Sequence, residues 1–208
     1  MNGVKNNLLK LNLGCGFDKI PGYVNVDKEA ECEPDKVVDL EGIWPFENNS
    51  VQEIKAVHVL EHLGQETNVF LGIMKEMYRV CADGAKINIQ VPHHDHWTFH
   101  SDPTHVRKIL PEGLKLFDQE LNRFNIENKY ANTPLGIYCQ VDFVLEHANP
   151  SYDEPWASRI KNNLISSFDL QFASSHYTNA IVQWDILLRV RKPNSIYDKD
   201  KALSENRR

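Results

Sequence analysis

Leu8-Leu9-Lys10-Leu11-Asn12-Leu13-Gly14-Cys15-Gly16 runs from an apolar segment straight into a glycine loop. Leu9, Leu11 and Leu13 form an apolar run that stops abruptly at Gly14-Cys15-Gly16. This pattern predicts a buried strand ending in a loop with almost no side chain. A ligand can lie directly on such a backbone, with free N–H groups pointing at it. Eleven residues after Gly16, Asp27 closes a second short run, Tyr23-Val24-Asn25-Val26. A carboxylate at the tip of the neighbouring strand is placed to accept hydrogen bonds from a ribose diol. The chain thus opens with a nucleoside half-site.

A nucleoside without phosphates fits this loop better than a pyrophosphate does. The dinucleotide fingerprint needs G-x-G-x-x-G and an acid about 20 residues on. Here the third glycine position is Lys19 and the acid comes too early. The Walker sequence G-x-x-x-x-G-K-[ST] is absent, and only Lys19 is basic in the loop.

Further strands are expected at about 36–40, 53–59, 85–91, 137–146 and 181–191, with helices at about 65–81, 112–122 and 156–168. In the first helix Phe70, Ile73, Met77 and Val80 recur at helical spacing and form one buried stripe. Gly84 stands where a left-handed turn is wanted. Strands alternating with helices predict an α/β fold with a mostly parallel sheet. Six residues, including Pro21 and Gly22, separate Gly16 from Tyr23, too few for a full helix. The connection from Lys28 to Asp35 is also short and contains Pro34. The strands alternate as well: Leu11 and Leu13 against Lys10 and Asn12, Ile87, Ile89 and Val91 against Lys86, Asn88 and Gln90. A sheet covered on both faces reads as continuous apolar runs. One face is therefore expected to be thinly covered. The stripe of Trp156, Ile160, Leu164 and Phe168 is expected to pack within the chain, with a dimer as the second choice.

At 208 residues and 41% hydrophobic, the chain is long enough for one well-buried core. A single domain is expected over 1–192, with a lid or substrate region inserted at about 93–180 and a polar tail at 193–208. No apolar run approaches membrane-spanning length, and Met1–Lys10 has no apolar signal core. The four cysteines, Cys15, Cys32, Cys81 and Cys139, are scattered and form no CxxC, which fits a reducing, cytoplasmic setting. A net charge of −6 with no long basic run disfavours nucleic acid as a partner.

Five blocks stand in order: LNLGCG at 11–16, NVD at 25–27, VVDL at 37–40, WPFENNSVQEIKAVHVLEHL at 44–63 and MKEMYRVCADGAKINIQVP at 74–92. Together they resemble the class I S-adenosylmethionine-dependent methyltransferases, a Rossmann-like family. HVLEHL followed by a helix, R-V-x-x-x-G and a strand is the most specific part. The later segment Asp102-Pro103-Thr104-His105-Val106-Arg107 resembles small bacterial or phage methyltransferases of a DPTH-x-R type. The likeness covers residues 8–92, fades after about 115 and returns only at a last, antiparallel strand. Two positions depart from the family: Asn12 where an acid is common, and Asp18 where a third glycine is common.

The resemblance implies S-adenosyl-L-methionine as cofactor. Asn12, Gly14, Cys15 and Gly16 would pass beneath its methionine half and ribose, and Asp27 would take the ribose hydroxyls. Asp39 and Leu40 would lie by the adenine, and His58 would face the sulfonium side. Glu61 and His62 would open the following helix, where a carboxylate also suits the helix dipole, with either a structural or a functional role.

Five of the nine histidines fall between His93 and His105. The segment follows the fifth strand and should hang over the carboxyl edge of the sheet, where open α/β folds bind ligands. It reads as a substrate lid, as a metal site or as a packed loop. The lid is preferred, with His105, His94 and Asp102 as candidates for acceptor contact or base. HExxH and other known ligand spacings are absent, so no metal is expected. The function expected is methyl transfer to oxygen or nitrogen of a small-molecule or sugar-like acceptor, by a monomer or weak homodimer. The alternatives are a nucleotide-dependent oxidoreductase and a non-catalytic nucleoside-binding protein.

Overall fold

The computed structural model describes residues 8–193, so the tail expected at 193–208 lies, apart from Pro193, outside the described residues. Seven strands form one sheet: β1 (Leu9–Leu13), β2 (Val24–Asp27), β3 (Lys36–Val37), β4 (Val51–Val57), β5 (Cys81–Pro92), β6 (Phe143–Tyr152) and β7 (Ile181–Val190). Their order is β3-β2-β1-β4-β5-β7-β6. Strands β1 to β5 pair parallel, and β7 runs antiparallel between β5 and β6. The α/β class, the parallel sheet and the antiparallel last strand agree with the sequence. The strand order reverses at β1, between β2 and β4. Ligands of open α/β sheets bind at the carboxyl ends of strands beside such a switch point.

The covered face carries Leu11, Leu13, Val26, Ile54, Ala56, Ile87, Ile89 and Leu188, all buried. Helix α1 (Thr67–Val80) lays Phe70, Ile73, Met74, Met77 and Val80 against it. Three short helices follow the lid, once a five-residue turn, α2 (Trp97–Ser101), has been made: α3 (Pro111–Leu114), α4 (Gln119–Glu127) and α5 (Leu135–Cys139). A 3₁₀ turn at Lys115–Phe117 brings Phe117 against both Phe70 and Phe143, each edge-on at 6.4 Å.

The expected thin face is present. Between β1 and β4 the connections hold no α-helix, only a 3₁₀ turn at Ala30–Cys32. Polar side chains pair across the open face instead. Lys10 meets Glu53 at 2.9 Å, Gln90 donates to Asp185 at 2.6 Å, and the ammonium groups of Lys10 and Lys55 lie over the Tyr23 ring.

Three expectations need correction. Residues 137–146 are not one strand: the chain forms α5, reverses at Gln140 (φ +56°) and begins β6 only at Phe143. Gly136 lets α5 pack closely, since a Cβ there would lie 2.7 Å from the Phe117 carbonyl oxygen. Residues 156–168 are two helices, α6 (Trp156–Lys161) and α7 (Ser167–His176), broken at Asn163 (φ +55°). The stripe is consequently not buried within the chain: Leu164 and Phe168 are 73% and 74% exposed. Apolar residues spaced strictly by four drift about 40° per step around a helix of 3.6 residues per turn, so they need not share a face. Trp156 does stack on Tyr177, at 5.6 Å.

Candidate functional site

The loop after β1 is held by amides where an acid was expected. Asn12 donates to the Asp18 carbonyl at 2.9 Å and to Asn25 Oδ1 at 3.0 Å. Asn25 Oδ1 also accepts from the Ile20 N–H, and its own backbone N–H and amide donate to Asp35 Oδ2. These bonds from Asn25 hold the Asp35 carboxyl below its ordinary range. Asn12 is buried under the loop and braces it, and it does not line the cavity beside it. Cys15 is also buried, and burial followed by the nearby Asp27 pushes its thiol up, away from reactivity.

A cavity of about 320 Å³ opens at the carboxyl ends of β1, β2 and β4. Gly14 and Asp27 form its floor, Val38, Asp39 and Leu40 one wall, and His58, Val59, His62, Leu63 and Thr104 the other. The volume is in the range of small-molecule pockets. Of the eight cofactor candidates, Gly14, Asp27, Asp39, Leu40 and His58 line it directly, while Asn12, Cys15 and Gly16 lie outside the lining. Gly14 has no alternative here. Its φ is +60°, and a Cβ would come within 2.4 Å of Val59 Cγ2. Asp27 Oδ2 accepts the Gly16 N–H at 2.8 Å and Oδ1 the Glu29 N–H at 3.0 Å. A carboxylate has about four lone-pair sites, so it can fasten the loop and still accept two ligand hydroxyls.

At the end of β4 the backbone is strained. His58 sits at φ +51°, a left-handed conformation costly for a non-glycine residue and common at functional sites. Its N–H is tied to the Gln90 carbonyl and its Nδ1 lies 3.3 Å from Glu61 Oε1. That hydrogen bond raises the imidazole above its ordinary range, against the effect of burial. Glu61 and His62 occupy a 3₁₀ turn, Leu60–His62, with Glu61 buried and His62 on the cavity wall.

The lid is anchored to that turn. The N–H groups of Val106 and Arg107 both donate to the Glu61 carbonyl. The Arg107 guanidinium donates to the Gly64 carbonyl and lies over the Phe70 ring at 4.3 Å. Its histidines divide into two groups. His93 and His96 are buried supports: His93 packs by Trp184, and His96 bonds Asp153 at 3.1 Å and Thr98 at 2.7 Å. His94 stacks on His93 and meets Asp95 at 3.3 Å, away from the cavity lining. The DPTH segment does return to the cavity. Thr104 lines it, and His105 lies edge-on to His62 with ring centroids 4.6 Å apart. Asp102 accepts from both the N–H and the hydroxyl of Thr104 and so orients this corner. Of the three candidates for acceptor contact, His105 is brought to the cavity rim, Asp102 stands behind it, and His94 is elsewhere. Reading the chain alone gave no reason to link His62 with residue 105.

No family model matches the chain, and no curated protein matches it in sequence. Solved structures do match in fold. A SAM-dependent methyltransferase from Archaeoglobus fulgidus aligns with TM-score 0.55 and 15% identity over 88% of this chain and 87% of that one. The chain has the Rossmann-like fold of that methyltransferase. A second SAM-dependent methyltransferase, from Methanosarcina mazei, gives TM-score 0.54 and 13% identity over 91% and 95%. The cyclase SpnF also aligns, with TM-score 0.50 and 12% identity over 89% and 75%. The fold thus hosts more than one reaction, and function must be argued from the site. Among the described residues no helix is long and apolar enough to cross a membrane.

Proposed function

We propose that the chain is an S-adenosyl-L-methionine-dependent methyltransferase acting on oxygen or nitrogen of a small-molecule or sugar-like acceptor, as a monomer or weak homodimer in the cytoplasm. The observation that carries this is the cavity at the switch point, lined by Gly14 and Asp27. The two Rossmann-like methyltransferases support it at the level of fold. The DPTH-x-R segment supports the finer likeness to small bacterial or phage methyltransferases.

S-adenosylmethionine would supply a methyl group on a sulfonium, already a strong electrophile. The chain has the remaining tasks. The floor carboxylate of Asp27 would hold the ribose hydroxyls, and Val38, Leu40 and Leu63 would enclose the adenine with Asp39 at its edge. His58, Val59 and His62 would face the sulfonium side. The acceptor would enter by Thr104 and His105, with its nucleophilic atom in line with the methyl carbon and sulfur. That atom forms a bond to the methyl carbon as the carbon–sulfur bond breaks, its electron pair going to sulfur. The acceptor proton leaves to His105 or to water. Alignment of this kind is worth about 7–11 kcal/mol in favourable cases. A general base adds ~10²–10⁴-fold.

The test is release of S-adenosylhomocysteine when the full chain is incubated with methyl-labelled S-adenosylmethionine and a panel of hydroxyl and amine acceptors. Turnover above the no-acceptor background, reduced far more in kcat than in cofactor affinity by His105→Ala, is the expected result. Cofactor binding with no turnover on any acceptor would instead favour a nucleoside-binding protein without chemistry.

A further inference from the structure

Glu61, His62 and His105 are brought together by the fold although 42 residues separate the second from the third. One ligating atom of each lies within 4.8 Å of those of the other two. We propose that these three residues bind a divalent transition-metal ion, of the zinc type, at the acceptor end of the cavity.

The hydrogen-bond pattern presents each ligand in the state a metal needs. Thr104 has one hydroxyl proton, and it is donated to Asp102 Oδ1 at 2.7 Å. The 2.9 Å bond between that hydroxyl and His62 Nδ1 must then be donated by the imidazole. His62 therefore carries its proton on Nδ1 and leaves Nε2 with a free lone pair. His105 Nδ1 lies 2.8 Å from the Phe99 carbonyl, which can only accept, so Nδ1 carries a proton there as well, while Nε2 lies 3.9 Å from Asp102 Oδ2. Metal-bound histidines have this outer arrangement, the second ring nitrogen donating to a carbonyl or other acceptor.

Glu61 supplies the independent observation. Its side chain is only 1% exposed, yet Oε2 has no hydrogen-bond partner among the described residues, while Oε1 is oriented by His58. A buried carboxylate oxygen left unpaired is costly. A cation between it and the two imidazoles removes that cost. Two imidazoles and one carboxylate form the donor set of open, catalytic zinc sites, with a fourth position for water or substrate. Bonds of 2.0–2.1 Å put tetrahedral ligands about 3.4 Å apart, so small side-chain rotations close the set from 4.8 Å.

The open position would face the cavity wall formed by His62 and Thr104. This role deepens the methyltransferase reading and rests on it; with the ion bound, His105 is a ligand and the acceptor proton goes to water, the second of the two routes given above. A hydroxyl acceptor held there would lose its proton to solvent water near neutral pH, and its oxygen would form the bond to the methyl carbon as the carbon–sulfur bond breaks. The acceptor class it selects is a hydroxyl compound.

Titration of the metal-stripped full chain with zinc sulfate tests the site, with magnesium chloride as comparison and S-adenosylhomocysteine titrated separately. One zinc per chain is expected, at roughly micromolar affinity or tighter, and no comparable magnesium binding. Glu61→Gln and His105→Gln should each weaken zinc by more than about 100-fold, and Thr104→Val by ~10–100-fold. His100→Gln, on an exposed lid residue, should change nothing. Cobalt(II) titration of the unaltered chain provides a readout that needs no variant: visible bands of a four- or five-coordinate N/O site should appear and be erased by zinc. Zinc binding no tighter than millimolar, or unchanged in folded Glu61→Gln and His105→Gln, overturns the metal site even where S-adenosylhomocysteine binds. Zinc binding without any S-adenosylhomocysteine binding overturns the methyltransferase reading and the role at the methyl group, and leaves the ion site standing.

Discussion

At the scale of single residues, Asp27 is the most informative position. Its carboxylate is both the loop's fastener and the only acid on the cavity floor. Asp27→Ala should weaken S-adenosylhomocysteine binding by about 1.5–3 kcal/mol, the range for charge-linked hydrogen bonds. Calorimetry on the variant checks this. The same change frees the Gly16 N–H, so a small loss of thermal stability should accompany it. His93 gives a pH prediction. Burial, and then the neighbouring His94, pushes its imidazole down to about 4, with His96 acting in the same direction and Asp95 opposing. A histidine depressed in the folded state binds its proton more readily when unfolded. Stability should therefore be complete above about pH 6.5 and fall as pH drops towards 4. His93→Asn, which keeps a side-chain acceptor for the Asp95 N–H, should flatten the slope of melting temperature against pH in that window. An unchanged slope would show that His93 is not the group responsible.

At the scale of elements, the junction of α4, β6 and β7 depends on one buried cation. Arg191, 4% exposed, bonds Asp142 through two nitrogens at 2.8 and 3.1 Å and reaches Asp118 and Glu120 at 2.8 Å each. Burial acts against its charge, but the carboxylates outweigh it and hold the guanidinium above its ordinary range. Arg191→Met should cost about 3–5 kcal/mol, because it leaves carboxylates partly buried without their counter-charge. The midpoint of urea unfolding measures it, and adding Asp142→Asn should recover part of the loss. How much of each element was legible follows the same division between local and distant causes. The α1 stripe Phe70, Ile73, Met77 and Val80 could be read because helical periodicity is a local property. The short connections after Gly16 and Lys28 could be read because a helix needs residues to form it. The packing of α5 could not, because it depends on the Phe117 carbonyl lying against Gly136, a contact between distant segments.

At the scale of the whole molecule, the chain has the Rossmann-like sheet with one helical face and one polar face of paired side chains. Gly14, Asp27, Asp39, Leu40 and His58 were legible as cavity residues because each ends or follows a strand in a recognisable block. Asn12 lies outside the cavity lining, its Nδ2 hydrogens bracing the loop, although its spacing matches that of a cofactor acid. The grouping of His62 with His105 was invisible, since only the crossing of the lid over the turn after β4 creates it. The proposed activity requires that the cavity between Gly14 and Thr104 take an adenosyl cofactor. Isothermal titration of the full chain with S-adenosylhomocysteine tests it most directly. Saturable one-to-one binding well below millimolar concentration is the expected result. Folded protein that gives no binding heat at about millimolar ligand, an affinity weaker than roughly −4 kcal/mol, would contradict it.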